Sequence, residues 1–267
     1  SVDRARRTEE FMMTEAYFEP LGSDDGWEVF RATPHTVSAW GPDLQHGAPP
    51  SAILTRAMER LDAGGDARIA RVAVDLLGPV PLGELRTRAR VARPGRRIQL
   101  LESELVAGGR TVARASAWRL ATGDTTHVEQ AAETPRVLPD TDHNGDFFTR
   151  WTSGYIDSLE IRGAEDGTVW ARPTLPLVAG EEPTPVQHVM CVADIANGVG
   201  AVLEPAEWRF LNTDLVTHLH RPPVGRWIGV AARASIGPDG VGATSGTLFD
   251  EKGAIGDTLQ ALLVEPV

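Results

Sequence analysis

Cysteine occurs once in the 267 residues, at Cys191. That excludes a disulfide framework and a cysteine-rich metal site, and it fits a reducing, cytoplasmic setting. No run reaches the roughly 18 apolar residues that a membrane span needs. The first residues, SVDRARRTEEF, are charged and lack the apolar stretch of a secretory signal. Positive charge is in deficit. The formal net charge is −11, which argues against nucleic acid as the main partner, although a local basic patch could still hold an anionic ligand. Signature loops are missing too. The glycines of NGVGAV and GPDGVGATSG keep neither dinucleotide nor phosphate-loop spacing, and no G-x-S-x-G elbow occurs. His218 and His220 share a strand face with Asp214, but no further His/Cys cluster joins them, so neither a metal nor a cofactor is expected.

What is present suits a soluble chain with a real core. Hydrophobic residues make up 42% and charged residues 24%, enough for one large domain or two of ordinary size. One stretch stands out. VMCVADIANGVG, from Val189 to Gly200, reads as a buried helix, yet Asp194 sits in its middle. A buried carboxylate is costly and Asp is a poor helix former, so the residue needs a reason.

An internal repeat supplies context. Val74–Leu120 and Thr217–Val264 each read as a strand ending in a Pro-containing turn, a long strand, a Gly/Pro turn, a third strand, a Gly turn and a last strand. The offset is about 143, from Val74 to Thr217. Upstream of each lies a helix candidate opened by prolines: SAILTRAMERLDA after QHGAPP, and VQHVMCVADIANGVGAVLE after EEPTP. Short strand candidates precede them, TEAYFEP, WEVFRAT and TVSAW in the first copy and YIDSLEIRG and TVWARP in the second. The pattern predicts an α+β fold of two tandem units, 1–123 and 150–267, joined by a polar, turn-rich linker over 124–149. In each unit a curved antiparallel sheet wraps around a long central helix.

The copies differ where chemistry could sit. At that offset, Asp194 stands opposite Ser51 and Gln260 opposite Ala117. On the last strands, Ala113, Ala115 and Ala117 share one face, as do Gly256, Thr258 and Gln260. An acid and an amide facing the helix–sheet seam of one copy alone suggest a duplicated site that kept its chemistry once.

The chain resembles the double hot-dog acyl-CoA thioesterases, the TesB-like group. The resemblance is carried by WGPDLQHGAPP (Trp40–Pro50), ADIANG (Ala193–Gly198), FLNTDLVTHLHRPP (Phe210–Pro223) and GDTLQ (Gly256–Gln260). It implies hydrolysis of an acyl-CoA thioester, with an Asp on the second central helix, a Gln on the last strand and a Thr before the strand that ends in His-Arg. Those positions fall on Asp194 and Gln260. Counting back from His220-Arg221 lands on Asn212, with Thr213 adjacent, and either fills the third role.

On this reading Asp194 is the general base for water, and Gln260 with Asn212 or Thr213 orients it. Backbone N–H groups around Gly47 and Ala48 would stabilise the oxyanion. His46 is a candidate substrate contact, and His220 is either a turn residue or a contact on the pantetheine side. The implied partner is an acyl-CoA, and the protein could pair with a second copy. Two rivals are a non-catalytic acyl-binding hot-dog protein and a hot-dog hydratase or dehydratase. The latter typically sets a His five residues after its Asp, where this chain has Val199. Arg86, Arg88, Arg90, Arg93, Arg96 and Arg97 form a basic strip that reads better as a solvated strand face than as a phosphate site.

Overall fold

The computed structural model describes residues 15–143 and 151–267. Among the described residues the first strands are β1 (Phe18–Asp24) and β2 (Trp27–Ala32), turned at Asp25-Gly26. Both turn residues have positive φ, 47° and 79°, the conformation a tight hairpin demands and Asp-Gly tolerates. A small ribbon, β3 (Val37–Ser38) and β4 (Gly41–Gln45), leads into helix α1 (Ala48–Glu59). Four long strands follow: β5 (Ala67–Leu76), β6 (Gly83–Arg93), β7 (Ile98–Ala107) and β8 (Arg110–Ala121).

The second half begins with α2 (Gly154–Asp157), β9 (Leu159–Gly163) and β10 (Val169–Pro173). Helices α3 (Pro185–Ala193) and α4 (Ala196–Val199) precede β11 (Trp208–Asn212) and β12 (Asp214–Leu219). The chain closes on the meander β13 (Ile228–Ile236), β14 (Val241–Asp250) and β15 (Gly253–Pro266). Several predicted elements are trimmed: TVSAW is a strand only over Val37–Ser38, and SAILTRAMERLDA is helical only to Glu59. TEAYFEP becomes a strand only from Phe18. YIDSLEIRG starts as a helical turn, whose cap Ser153 accepts from the Ile156 N–H, and extends only from Leu159.

The strands run β1-β2-β6-β7-β8-β5-β12-β15-β14-β13-β10-β9, with β11 paired to β15. The expected two sheets are therefore one. They join where β5 pairs with β12, Ala73 opposite Val216. The order reads the same from either end, each strand of one half mirrored by its repeat in the other. The register carries the repeat: Ala73 pairs with Ser116 as Val216 pairs with Leu259, and Glu102 with Ser116 as Ser245 with Leu259, each residue 143 from its counterpart.

The helices lie on the buried face of this sheet. α1 packs on β6, β7 and β8, α3 on α1, β10 and β13, and α4 on β13 and β14. Every residue of α1 from Ala48 to Met58 is buried, which explains a helix without a polar side over that length.

The long second helix expected over 186–204 is broken. α3 stops at Ala193, Asp194 is its C-cap, and α4 is a single turn. The Ile195 N–H already bonds to Val192 O, tightening the last turn, and the Asp194 side chain is held by groups outside the helix. This break shifts the helices relative to the strands. Thr184 caps α3 137 residues after Gly47 caps α1. Aligned on their caps, Asp194 corresponds to Ala57. Ser51 stands in the first turn of α1, where its hydroxyl donates to Gly47 O at 2.7 Å.

Residues 124–143 run largely irregular and exposed; Arg136 donates to Thr168 Oγ1 at 2.8 Å, and Leu138 packs on the Trp170–Trp227–Phe249 cluster. The rest of the expected linker, 144–149, lies outside the described residues.

Candidate active site

Asp194 is 3% exposed. Its two oxygens have different surroundings. Oδ1 accepts from Asn212 Nδ2 at 2.7 Å and from Gln260 Nε2 at 2.9 Å. Oδ2 faces the start of α1, 3.3 Å from His46 Nδ1 and close above Gly47. Strand geometry delivers Gln260: from Thr258 to Val264 the even residues of β15 are buried and the odd ones exposed. Asn212 ends β11, and the chain breaks at Thr213 before β12 begins. Thr213 lies on the cavity wall, its N–H bonded to Ala261 O and its carbonyl accepting from the Leu76 N–H. Of the two adjacent candidates, Asn212 is the one that reaches the carboxylate.

Burial pushes the Asp194 carboxyl up to about 6, against the opposing hydrogen bonds from Asn212 and Gln260, while nearby Asp214 adds to the rise. Burial drives His46 the other way, to about 3, so its ring is neutral at physiological pH. The Ala48 N–H donates to His46 Nδ1 at 3.1 Å, which assigns the ring proton to Nε2. The short approach of His46 to Asp194 is thus not an ion pair. The imidazole is held flat on Tyr155, centroids 4.0 Å apart at 19°.

The first turn of α1 has fewer free donors than expected. Pro49 and Pro50 have no N–H, and the Ser51 N–H bonds to Gly47 O. Ala48 spends its N–H on His46. Gly47 is left as the donor without a partner among the described residues.

These groups open on a cavity of about 450 Å³. Leu44, Leu76, Val80 and Leu211 line it, with Trp40 and Trp151. Trp40, Trp151 and Phe210 pack edge to face on one another, with centroids 5.4–5.6 Å apart. Phe210 backs the two tryptophans that line the cavity, a cluster the sequence alone does not show. Trp40 and Phe210 each stand in a motif that carries the resemblance, but nothing local ties either to Trp151 or to the other.

His220 is not brought to this cavity. It is exposed, its N–H bonds to Ile255 O, and its carbonyl accepts from Arg68 Nη2 at 2.8 Å beside a separate groove. His218 is exposed as well, and the Asp214 carboxylate accepts from the Ala261 N–H at 2.6 Å. No cluster of His, Cys, Asp and Glu placed for a metal occurs among the described residues. In the arginine strip Arg88 and Arg90 pair across strands with Glu104 and Glu102, Arg86 meets Asp24, and Arg93 donates to Ile98 O.

Comparison with known proteins follows this geometry. The model of an acyl-CoA thioesterase N-terminal domain matches residues 36–120, and that of an acyl-CoA thioesterase C-terminal domain matches 128–264. No curated protein sequence matches the chain at a significant level. Among solved structures, a candidate thioesterase II of Thermobifida fusca is 14% identical, covers 95% of this chain and 96% of its own, and superposes with a TM-score of 0.71. A conserved hot-dog protein of unknown function from Alicyclobacillus acidocaldarius is 17% identical, with 91% and 95% covered and a TM-score of 0.66. The acyl-CoA thioesterase II TesB2 of Mycobacterium marinum is 14% identical, with 94% and 95% covered and a TM-score of 0.64. At these identities the likeness establishes the hot-dog fold.

Proposed function

Because the chain belongs to the acyl-CoA thioesterase family, we propose that it hydrolyses an acyl-CoA thioester to the free acid and CoA through water activated by Asp194. The observation that carries this is the division of labour on one carboxylate. Oδ1 is saturated by two amide donors, and Oδ2 is left toward Gly47 and the cavity.

In the proposed step Oδ2 takes a proton from water as the water oxygen bonds to the thioester carbon. The carbonyl oxygen becomes an oxyanion and accepts from the Gly47 N–H. The C–S bond then breaks, and the CoA sulfur recovers the proton from the Asp194 carboxyl. A carboxyl held near 6 suits both halves of this exchange at neutral pH. Asn212 and Gln260 hold the carboxylate and keep it ionisable despite its burial. The neutral His46 ring fixes the Ala48 N–H and closes the site beside Oδ2. The apolar cavity takes the acyl group. We read the chain as two tandem hot-dog units, 1–123 and 150–267, of which the second supplies the base and the first the helix start.

The test is a panel of acyl-CoAs scored for free thiol release. Asp194→Ala should lower turnover by about 10²–10⁴-fold, the usual reach of a general base, with the fold intact. Unchanged turnover rules the mechanism out.

A further inference from the structure

The two ends of the α1–α3 pair are built alike and used differently. At one end Asp194, the C-cap of α3, faces Gly47, the N-cap of α1. At the other, Glu59, the last residue of α1, faces Thr184, the N-cap of α3. Glu59 accepts from Thr184 Oγ1 at 2.9 and 3.0 Å and from Gln187 Nε2 at 2.7 Å. The helices are therefore antiparallel, with a carboxylate against a cap at each end.

The residues at the caps decide what each carboxylate can do. At the Asp194 end the cap is glycine and the third residue on is Pro50, so neither offers a side-chain donor. At the Glu59 end the same two places are Thr184 and Gln187, and both donate. One turn earlier on α1, Arg56 grips Glu181, with Nε and Nη2 each 2.7 Å from a carboxylate oxygen, and also meets Glu28. The Arg56 side chain is only 4% exposed. Two polar ties thus hold the start of α3 to the end of α1.

Their consequence lies at the far end of α3, about 15 Å away at 1.5 Å per residue. The hydrophobic driving force between two helices is non-directional, and close packing alone leaves neighbouring registers to be told apart by small differences in fit. Hydrogen bonds at the clamp set the axial register. The tolerance at the other end is small, because Gly47 already has no room for a β-carbon beneath Oδ2. An ångström of sliding would press Oδ2 into Gly47 or draw Oδ1 off Asn212 and Gln260. Misplacement on that scale costs on the order of 10²-fold in rate.

We propose that Glu59, with Thr184 and Gln187, is a positioning residue that sets the register of α3 against α1 and so the place of Asp194. The kinetic consequence rests on the hydrolase reading; the effect on Asp194 itself does not.

The experiment compares the full chain with Glu59→Ala and Glu59→Gln by two readouts. One is thioester turnover against pH. The other is titration of the Asp194 carboxyl by carbon-13 NMR, which needs no activity. Glu59→Ala should lower kcat about tenfold or more, as misplacement of the base requires, and leave KM nearly unchanged. It should also move the Asp194 midpoint upward as the Asn212 and Gln260 bonds loosen. Glu59→Gln, which keeps an acceptor for the Thr184 hydroxyl, should recover most of both. If Glu59→Ala does not fold, Gln187→Met removes one tie at similar volume and should move both readouts the same way. A folded variant whose Asp194 midpoint stays or falls overturns the proposal, whatever its melting temperature. If the unmodified chain hydrolyses no thioester, the proposed function fails, and the NMR titration still decides the clamp.

Discussion

A β-carbon on Gly47 would stand 2.6 Å from Asp194 Oδ2, closer than any real contact allows. The Gly47 backbone, φ −66° and ψ −20°, is open to every residue, so glycine is required there for space alone. Asp194 cannot easily yield, since its Oδ1 is held at 2.7 and 2.9 Å. Gly47→Ala should therefore fold and still lose turnover by about tenfold or more, because the base is displaced. Steady-state kinetics with a thermal melt checks this. Normal turnover in the variant would mean that Oδ2 does not work from this position.

The raised Asp194 carboxyl has a cost in stability whose sign can be worked out. The folded value of about 6 lies above the ordinary 3.8, so the folded state binds the proton more tightly than the unfolded state. Stability is full below the unfolded value and is lost as pH rises through the folded one. Above pH 6 the penalty is roughly 3 kcal/mol, at about 1.4 kcal/mol per unit. Asp194→Asn removes the charge and keeps an oxygen for Asn212 and Gln260. It should melt several degrees higher than the wild type at alkaline pH and equally at pH well below 4. A variant that is less stable at alkaline pH would show that the ionised carboxylate is net stabilising.

The pH profile separates Asn212 from Thr213. Water activation needs the carboxylate, so kcat/KM should rise with pH through about 6. His46, at about 3, adds no limb nearby. Asn212 donates to Asp194 and holds its carboxyl down, so Asn212→Ala should move the limb to higher pH as well as slow turnover. Thr213 lines the cavity but gives Asp194 no hydrogen bond, so Thr213→Val should leave the limb in place. The opposite pattern would return the third polar role to Thr213.

The comparison of sequence with structure is sharpest at the helix VMCVADIANGVG. Its apolar spacing reads as one helix through Asp194, but the helix ends there in a tightened turn, the Ile195 N–H bonding to Val192 O and the Asp194 carbonyl facing Gln260 Nε2 at 3.4 Å. Within the stretch only the poor helix formers Asp194, Asn197 and Gly198 hint at an end, and none of them fixes its place. The strand repeat was legible because its offset is carried by residues within each meander. The helix alignment was not, since extra residues between Ala193 and β11 shift the helices against the strands, while β11 itself keeps the offset, Phe210 pairing with Val264 as Ala67 pairs with Ala121.

By its own order the sequence determined the duplicated meander and the proline-opened helices. These follow from periodicity and turn chemistry, which act between near neighbours. Only the tertiary structure decided that the two sheets are one, that Asn212 rather than Thr213 meets the acid, that His220 lies elsewhere, and that Ala48 spends its N–H on His46. Those outcomes depend on sheet register and on the competition of individual donors for individual oxygens, between residues that stand far apart in the chain.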